Sequence, residues 1–494
     1  MREPGEARLL ASGALLQQLA QGFGLLALLV IVTLLARDVE VEELAAYGLI
    51  STLSGYLLVL RNSASNSSVR AMAAAADADE RARIFSAAAA LYVVVGLGTG
   101  ALVALAAVVL SAAIFDGELA DVARDGGLGL AAITAVGVSA SVYLDALRAE
   151  RRFMRAASAE IVSVALYLAI MVTLIVADAG LDVVIAASGA LPLLTGVICA
   201  FLARREDVRP RIRGGAGTRA QVMKIVPTAG WVLVVEIATV VTYASGRIIL
   251  GAVRSPTAVG LFEGAVRSHN LLYALAGALA VPTVPTASRY SARGDDRRLH
   301  ELATRGTRYT LALFVPLCVT LMVMAEPVIT VWLGERYAGG ATALTIIVAY
   351  WLLYGGLVVT PGFLVGIGRA REVAQVMIGI AVVNLVLSLV LTPELGVEGP
   401  AVALSVAFAL GLPLLLRIGL RATSVPLGEL VRRAFAPAYA LGLALALVLL
   451  VVRELLEPDG VAPVLAVCAL GVLAYWGAFH SLVMDPGERE LLRR

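Results

Sequence analysis

At 494 residues, 60% of them hydrophobic and only 15% charged, the chain is too apolar for a water-soluble protein, and its formal net charge of +2 offers no basic surface for nucleic acid. Its three cysteines, Cys199, Cys318 and Cys468, all lie in apolar runs without metal-ligand spacing, which argues against a disulfide framework or a zinc centre and for free thiols.

A hydrocarbon core of ~30 Å takes about 20 apolar residues in helical form. In chain order, windows of that length without solvated charge fall near 9–36, 43–61, 84–114, 127–147, 155–177, 183–203, 225–251, 258–286, 309–331, 341–364, 373–392, 398–416, 434–452 and 461–483. The fold class is therefore an all-α polytopic membrane protein with about 14 transmembrane helices. The first run has no small-residue cleavage site after it and reads as a retained helix, not a removed signal peptide.

The flanks alternate in charge. Of the 39 Lys and Arg residues, 32 fall in the first, third, fifth and later odd-numbered flanks, five in the flanks between, and two inside apolar runs. The basic set includes Arg2 and Arg8, Arg61 to Arg83, Arg148 to Arg155, Arg204 to Lys224, Arg289 to Arg308, Arg417 to Arg433 and Arg489 to Arg494. The opposite set is acidic, as in Glu40, Glu42 and Glu43, or Glu454, Glu457 and Asp459. Cytoplasmic loops collect Lys and Arg, so the expectation is an inner-membrane, multi-pass protein with both termini cytoplasmic. No flank exceeds roughly 25 residues, too few for a soluble catalytic domain, and no Walker A sequence occurs, so ATP hydrolysis by this chain is not expected. Asp77-Ala78-Asp79 is formally the acidic pair of a metal-dependent glycosyltransferase, but it sits in a short alanine-rich loop with no domain around it.

The chain repeats. Leu34-Leu35-Ala36-Arg37 through Tyr47-Gly48-Leu49-Ile50 echoes Ile249-Leu250-Gly251-Ala252 through Val259-Gly260-Leu261-Phe262. Leu147-Arg148-Ala149-Glu150 stands after span 4 as Gly366-Ile367-Gly368-Arg369 stands after span 10. A six-span unit returns the chain to its starting side, so two copies are parallel six-helix bundles around a central cleft, with two C-terminal helices outside the repeat. The predicted domains are 1–203, a basic cytoplasmic linker 204–224, 225–416, and 417–494.

Three stretches carry a resemblance: Glu326-Pro327-Val328-Ile329-Thr330-Val331-Trp332-Leu333-Gly334-Glu335-Arg336-Tyr337; Val365-Gly366-Ile367-Gly368-Arg369 followed by Asn384; and Leu391-Thr392-Pro393-Glu394-Leu395-Gly396-Val397-Glu398-Gly399-Pro400-Ala401. On these the chain resembles the polysaccharide biosynthesis flippases, O-antigen and lipid II types, of the multidrug/oligosaccharidyl-lipid/polysaccharide exporter superfamily, across residues 8 to 420. It departs from the pattern at Gly246, where an acidic residue often precedes the arginine, and at Asn62-Ser63-Ala64, which replaces Asp-x-Gly.

The resemblance implies a non-enzymatic flippase, without cofactor, that moves a polyprenyl-pyrophosphate-linked glycan from the inner to the outer leaflet by alternating access. Glycan polymerases or glycosyltransferases would be its protein partners. The nearest alternative is a cation-coupled multidrug exporter of the same superfamily, whose usual carboxylate in span 1 is replaced here by glutamines; a membrane glycosyltransferase or polymerase is the more distant one.

Charges inside lipid cost ~2.5–3.5 kcal/mol on insertion scales, so intramembrane charges should face partners or a wet cavity. Glu236, Tyr243 and Arg247 share a stripe of span 7, and Glu263, Arg267 and Asn270, with His269 nearby, lie on span 8. Arg247, Arg267, Glu263, Asn270 and Tyr243 are candidate substrate contacts, with Glu236 near the midplane as the ion-coupling candidate. Equally, Glu263 and Arg267 could form only an i,i+4 pair while Arg247 snorkels outward; on that reading, loss of Arg267 would leave Glu263 alone. Gln17 and Gln21 on span 1, beside Gln18, suit either a cleft or a helix–helix bond, and Arg61 either a phosphate or a positive-inside anchor. Asp145 and Glu160 are expected to pair with Arg148, Arg151 or Arg152, and Pro282 with Pro285 to interrupt span 8.

Overall fold

The computed structural model describes residues 4–73, 75, 77–205, 230–280, 283–484 and 488–489, the side chains of 4–19, 21, 56–59, 63, 66, 70, 230–233 and 285 excepted. Every regular element among the described residues is helical, as a chain must be when lipid offers its backbone no hydrogen-bond partner. Eleven of these helices are long and apolar enough to cross a membrane, or twelve counting the bent pair Leu181–Ala187 and Ala190–Arg205 as one span. The protein is thus a multi-pass membrane protein. Pro4–Asp38, of 35 residues, and Pro256–Ala280, of 25, stand outside that count. The second is long enough, but Glu263, Arg267, Ser268, His269 and Asn270 lower its apolar content.

Several helices outrun the apolar windows. Val41–Ala73 continues past Arg61 for three turns, and Ala78–Ile114 begins on polar residues. Asp77 caps the latter, accepting a hydrogen bond from the Glu80 amide at 2.6 Å, so the acidic pair does the ordinary work of a helix start. Other windows are broken. The run near 183–203 bends by 45° at Ser188-Gly189. The run near 341–364 is Ala341–Tyr354, a 3₁₀ turn Gly355–Leu357, and Val359–Gly366. Of span 8, Pro256–Ala280 and Thr283–Ala292 are described as helix; Val281 and Pro282 lie outside the described residues, and with them the expected interruption, while Pro285 lies within the second segment.

The motif glycines end helices. Gly334, at φ +110°, turns the chain between Ala325–Trp332 and the 3₁₀ segment Glu335–Gly340, whose Tyr337 is fully buried. Gly368, at φ +86°, makes the turn before Ala370–Leu395. Both conformations lie where an L side chain is strained.

The chain separates into two compact units, Met1–Val240 and Val241–Arg494, with the boundary inside the Gly230–Val253 helix. Of the expected basic linker, residues 206–229 fall outside the described residues.

In the first unit, Ala78–Ile114 and Gly117–Ala140 pack along much of their length. A Cβ on Gly100 would sit 2.8 Å from Ala135 Cβ and 2.9 Å from Ala131 O, so this close approach depends on the small residues Gly96 and Gly100, spaced as in Gly-x-x-x-Gly. In the second unit, Asp296–Val323 is the hub. Leu311, Val315 and Val319 form one buried cluster with Leu445 and Leu449 of Ala436–Leu456 and Tyr475 and Phe479 of Val461–Leu482. Cys199 and Cys318 are buried free thiols and Cys468 is partly buried.

Candidate functional site

The second unit buries three charges side by side. Glu263 is 0% exposed, and its two oxygens serve different partners: Arg247 Nη1 donates to Oε1 at 2.8 Å and Arg267 Nε to Oε2 at 3.0 Å. The Arg267 contact is the i,i+4 pair that helix geometry predicts, while Arg247 reaches across from Gly230–Val253. Arg247 is 2% exposed, so it does not snorkel. Loss of Arg267 alone would therefore leave Glu263 paired, contrary to the sequence expectation. The triad sums to one positive charge, and Arg267 Nη2 is buried without a hydrogen-bond partner. Glu236, eleven residues before Arg247 and thus ~16 Å along the helix, forms no ion pair with a described residue.

Two residues past Arg267, about half a turn round the helix, an aromatic cluster begins. Buried His269 receives Trp351 Nε1 on its Nδ1 at 3.0 Å and has the Tyr350 hydroxyl at 2.7 Å from the same atom. Indole nitrogen only donates, so Nδ1 is the acceptor and the ring proton sits on Nε2. Tyr243 lies against this imidazole, ring centres 4.4 Å apart, and meets Tyr273 edge-on at 5.4 Å. Asn270 is partly buried on the same helix. Beside Tyr243 and His269 is a cavity of about 20 Å³, room for a water molecule, also lined by Thr242, Phe262 and Asn384. Asn384 donates through Nδ2 to Thr242 O at 2.9 Å and to Ser245 Oγ at 3.3 Å, and its Oδ1 is left without a partner.

In the first unit, Arg61 donates from Nε to Ser141 Oγ at 3.2 Å and lies 3.8 Å from Asp145, which is fully buried. Asp145 accepts from Ser65 Oγ at 2.7 Å and from the Tyr92 hydroxyl, and has Arg148 at 3.9 Å; Arg148 also pairs with Glu160 at 2.7 Å. Two arginines and two carboxylates thus balance. Gln17 and Gln21 are on the Pro4–Asp38 helix, but their side chains lie outside the described residues.

Sequence reasoning brought Arg247, Glu263, Arg267 and Tyr243 into one neighbourhood, and the structure places them there. It passed over Trp351, Tyr350 and Tyr92. Tyr350-Trp351 next to a break in an apolar helix was the available signal for the first two; Tyr92 had none.

A family described as polysaccharide biosynthesis protein matches residues 34–341. A probable low-salt glycan biosynthesis flippase of Haloferax volcanii, Agl15, is 21% identical over 161 residues, 33% of this chain and 34% of that protein. The match therefore spans about a third of this relative's length. Among solved structures, the lipid II flippase MurJ in an inward closed conformation is similar with a TM-score of 0.72 at 16% identity, over 95% of this chain and 100% of that one. An inward-facing multidrug resistance MATE family transporter of the MOP superfamily is similar with a TM-score of 0.70 at 16% identity, over 83% and 98%. At such identities the likeness is one of fold.

Proposed function

The chain belongs to the polysaccharide biosynthesis protein family, within the multidrug/oligosaccharidyl-lipid/polysaccharide exporter superfamily, and from that premise we propose that it is a flippase for a polyprenyl-pyrophosphate-linked oligosaccharide. The headgroup passes from the inner to the outer leaflet by alternating access of two parallel six-helix bundles, 1–203 and 225–416, while the lipid tail stays in the bilayer. Pro4–Asp38 and Pro256–Ala280, added to the twelve apolar spans, bring the crossings to 14. The charge asymmetry of the loops supports an inner-membrane protein with both termini in the cytoplasm. Polymerases or glycosyltransferases acting on the same glycan are its partners.

The observation that carries this reading is the Arg247–Glu263–Arg267 triad, two buried guanidiniums on one carboxylate, with the Nη2 of Arg267 left without a hydrogen-bond partner. Guanidinium forks match phosphate oxygens, and in a site of low dielectric such bonds are stronger than in water. Glu263 competes with the pyrophosphate for Arg267 and so lets the headgroup leave.

The test is reconstitution in liposomes with a fluorescent polyprenyl-pyrophosphate-linked sugar, scoring its exposure to a membrane-impermeant quencher. Protein-dependent exchange between leaflets is the expected result. The fold shared with a MATE transporter favours a second reading, cation-coupled drug export. Ethidium extrusion from cells without glycolipid exchange in liposomes would establish that reading instead.

A further inference from the structure

Only 6% of this chain is aromatic, yet the second unit holds one continuous run of rings beside the triad. Phe314 stacks on Trp351 at 5.5 Å, Trp351 meets Tyr354 at 5.4 Å, and Tyr354 meets Phe408 at 5.4 Å. Phe408 stacks with Tyr243 at 6.3 Å, and Tyr243 supports Tyr273. The run begins at side chains that are 0% exposed, Phe314 and Trp351, and ends at Tyr273, which is 43% exposed. Core packing accounts for the buried end. It does not account for an exposed tyrosine held edge-on by a second one, which itself lies tilted against a histidine fixed by Trp351 and Tyr350.

Polar residues precede Tyr273 on its helix, and the turn after it is open. Asn270 lies one turn before it on the same helix, Arg267 one turn before Asn270, and Gly277 one turn after, with nothing within 4 Å of where its Cβ would be. An acyl chain gains nothing from an amide and tyrosine hydroxyls. A pyranose ring does: its C–H face packs on an aromatic ring while its hydroxyls bond to amide and phenol groups. Six residues separate Arg267 from Tyr273, on the order of 9 Å along the axis, enough for a phosphate followed by one sugar.

We propose that Tyr273, supported by Tyr243 and flanked by Asn270, is the stacking platform for the sugar ring next to the pyrophosphate. This rests on the lipid-linked glycan reading above and gives it a second contact: the triad takes the charge, the platform takes the sugar. Because Trp351 and Tyr350 hold His269, and His269 holds Tyr243, the platform is rigid before the sugar arrives, which limits the ordering cost of binding.

The experiment measures Kd on purified protein in nanodiscs for two probes, undecaprenyl pyrophosphate alone and the same lipid carrying one N-acetylglucosamine. The parent binds the sugar-bearing probe about fivefold to tenfold more tightly. Tyr273→Leu and Tyr273→Ala abolish that preference and leave the affinity for the bare lipid unchanged, while Tyr273→Phe keeps most of it. Because Tyr273 is exposed, these variants retain the fold, which gel filtration verifies. Retention of the preference by Tyr273→Leu would make the ring a lipid contact and overturn the platform. Equal weakening of both probes would do the same. If the parent binds both probes alike, the platform is wrong and the flippase reading stands. If it binds neither, both fail together.

Discussion

Replacing Glu263 with glutamine removes the one negative charge between Arg247 and Arg267 while keeping the side chain's shape. Both guanidiniums are buried, 2% and 5% exposed, and both then lose the carboxylate that lies between them. At an effective dielectric near 20, each contact of about 4 Å between charge centres is worth ~4 kcal/mol before desolvation. Breaking a buried pair by deleting one partner typically costs ~3–5 kcal/mol. For a unit of about 250 residues this predicts a fall in melting temperature on the order of 5–10 °C, followed by fluorescence-detected gel filtration of heated samples. Arg267→Gln should cost markedly less, because Glu263 keeps Arg247 at 2.8 Å. The double change Glu263→Gln with Arg267→Gln should fall between the two, since it restores a single buried positive charge. If Glu263→Gln melts within 1 °C of the parent, the carboxylate does not hold the arginines together and the triad reasoning is wrong.

Lysine at Arg267 is expected to lower glycolipid exchange in liposomes by about tenfold, since a single ammonium cannot reproduce the paired donors of a guanidinium; unchanged exchange would remove the phosphate role. Glu236→Gln, at the one intramembrane carboxylate of Gly230–Val253, should transport with altered dependence on pH and membrane potential, and parental behaviour in both would exclude it from coupling. Gly100→Leu should reduce folded yield strongly, because even a Cβ there stands 2.8 Å from Ala135, whereas Gly98→Leu, with nothing within 4 Å, should not. Asp145→Asn should lower the melting temperature of the first unit by several degrees, since Arg61 and Arg148 lose the buried carboxylate between them; a shift below one degree would show that Glu160 alone suffices.

Apolar length was legible because lipid demands it, and over the described residues the windows found from sequence lie within the observed helices or their broken pairs to within two residues, the start of the seventh window, 225–229, lying outside the described residues. Helix ends were not, because a helix may run on into water once its apolar stretch is spent, as Val41–Ala73 does beyond Arg61. Breaks were not legible at Ser188-Gly189 and Gly355-Gly356, where the sequence reading ran spans straight through, because they depend on what packs there: a Cβ on Gly355 would sit 2.6 Å from Phe314 Cβ. The cost of charge inside lipid singled out Arg247, Glu263 and Arg267 on two successive spans. It could not say that one carboxylate would serve two arginines and leave Glu236 apart. Asp145 was matched correctly to Arg148, three residues away, whereas its bonds to Tyr92 and Ser65 span 53 and 80 residues and leave no periodic trace.

The last two helices lie against Asp296–Val323 through Leu445, Leu449, Tyr475 and Phe479, with Tyr439 OH bonded to Leu352 O and Trp476 Nε1 to Ala312 O. In water, stripping them off would uncover a greasy seam and invite aggregation. In a bilayer the acyl chains are as oily as the helices they would replace, so what would be forfeited is shape fit, a few hydrogen bonds and the ion pair of Arg453 with Glu326 at 2.7 Å. The attachment of this pair therefore rests on fit and polar bonds, and not on the exclusion of water that would hold it in a soluble protein.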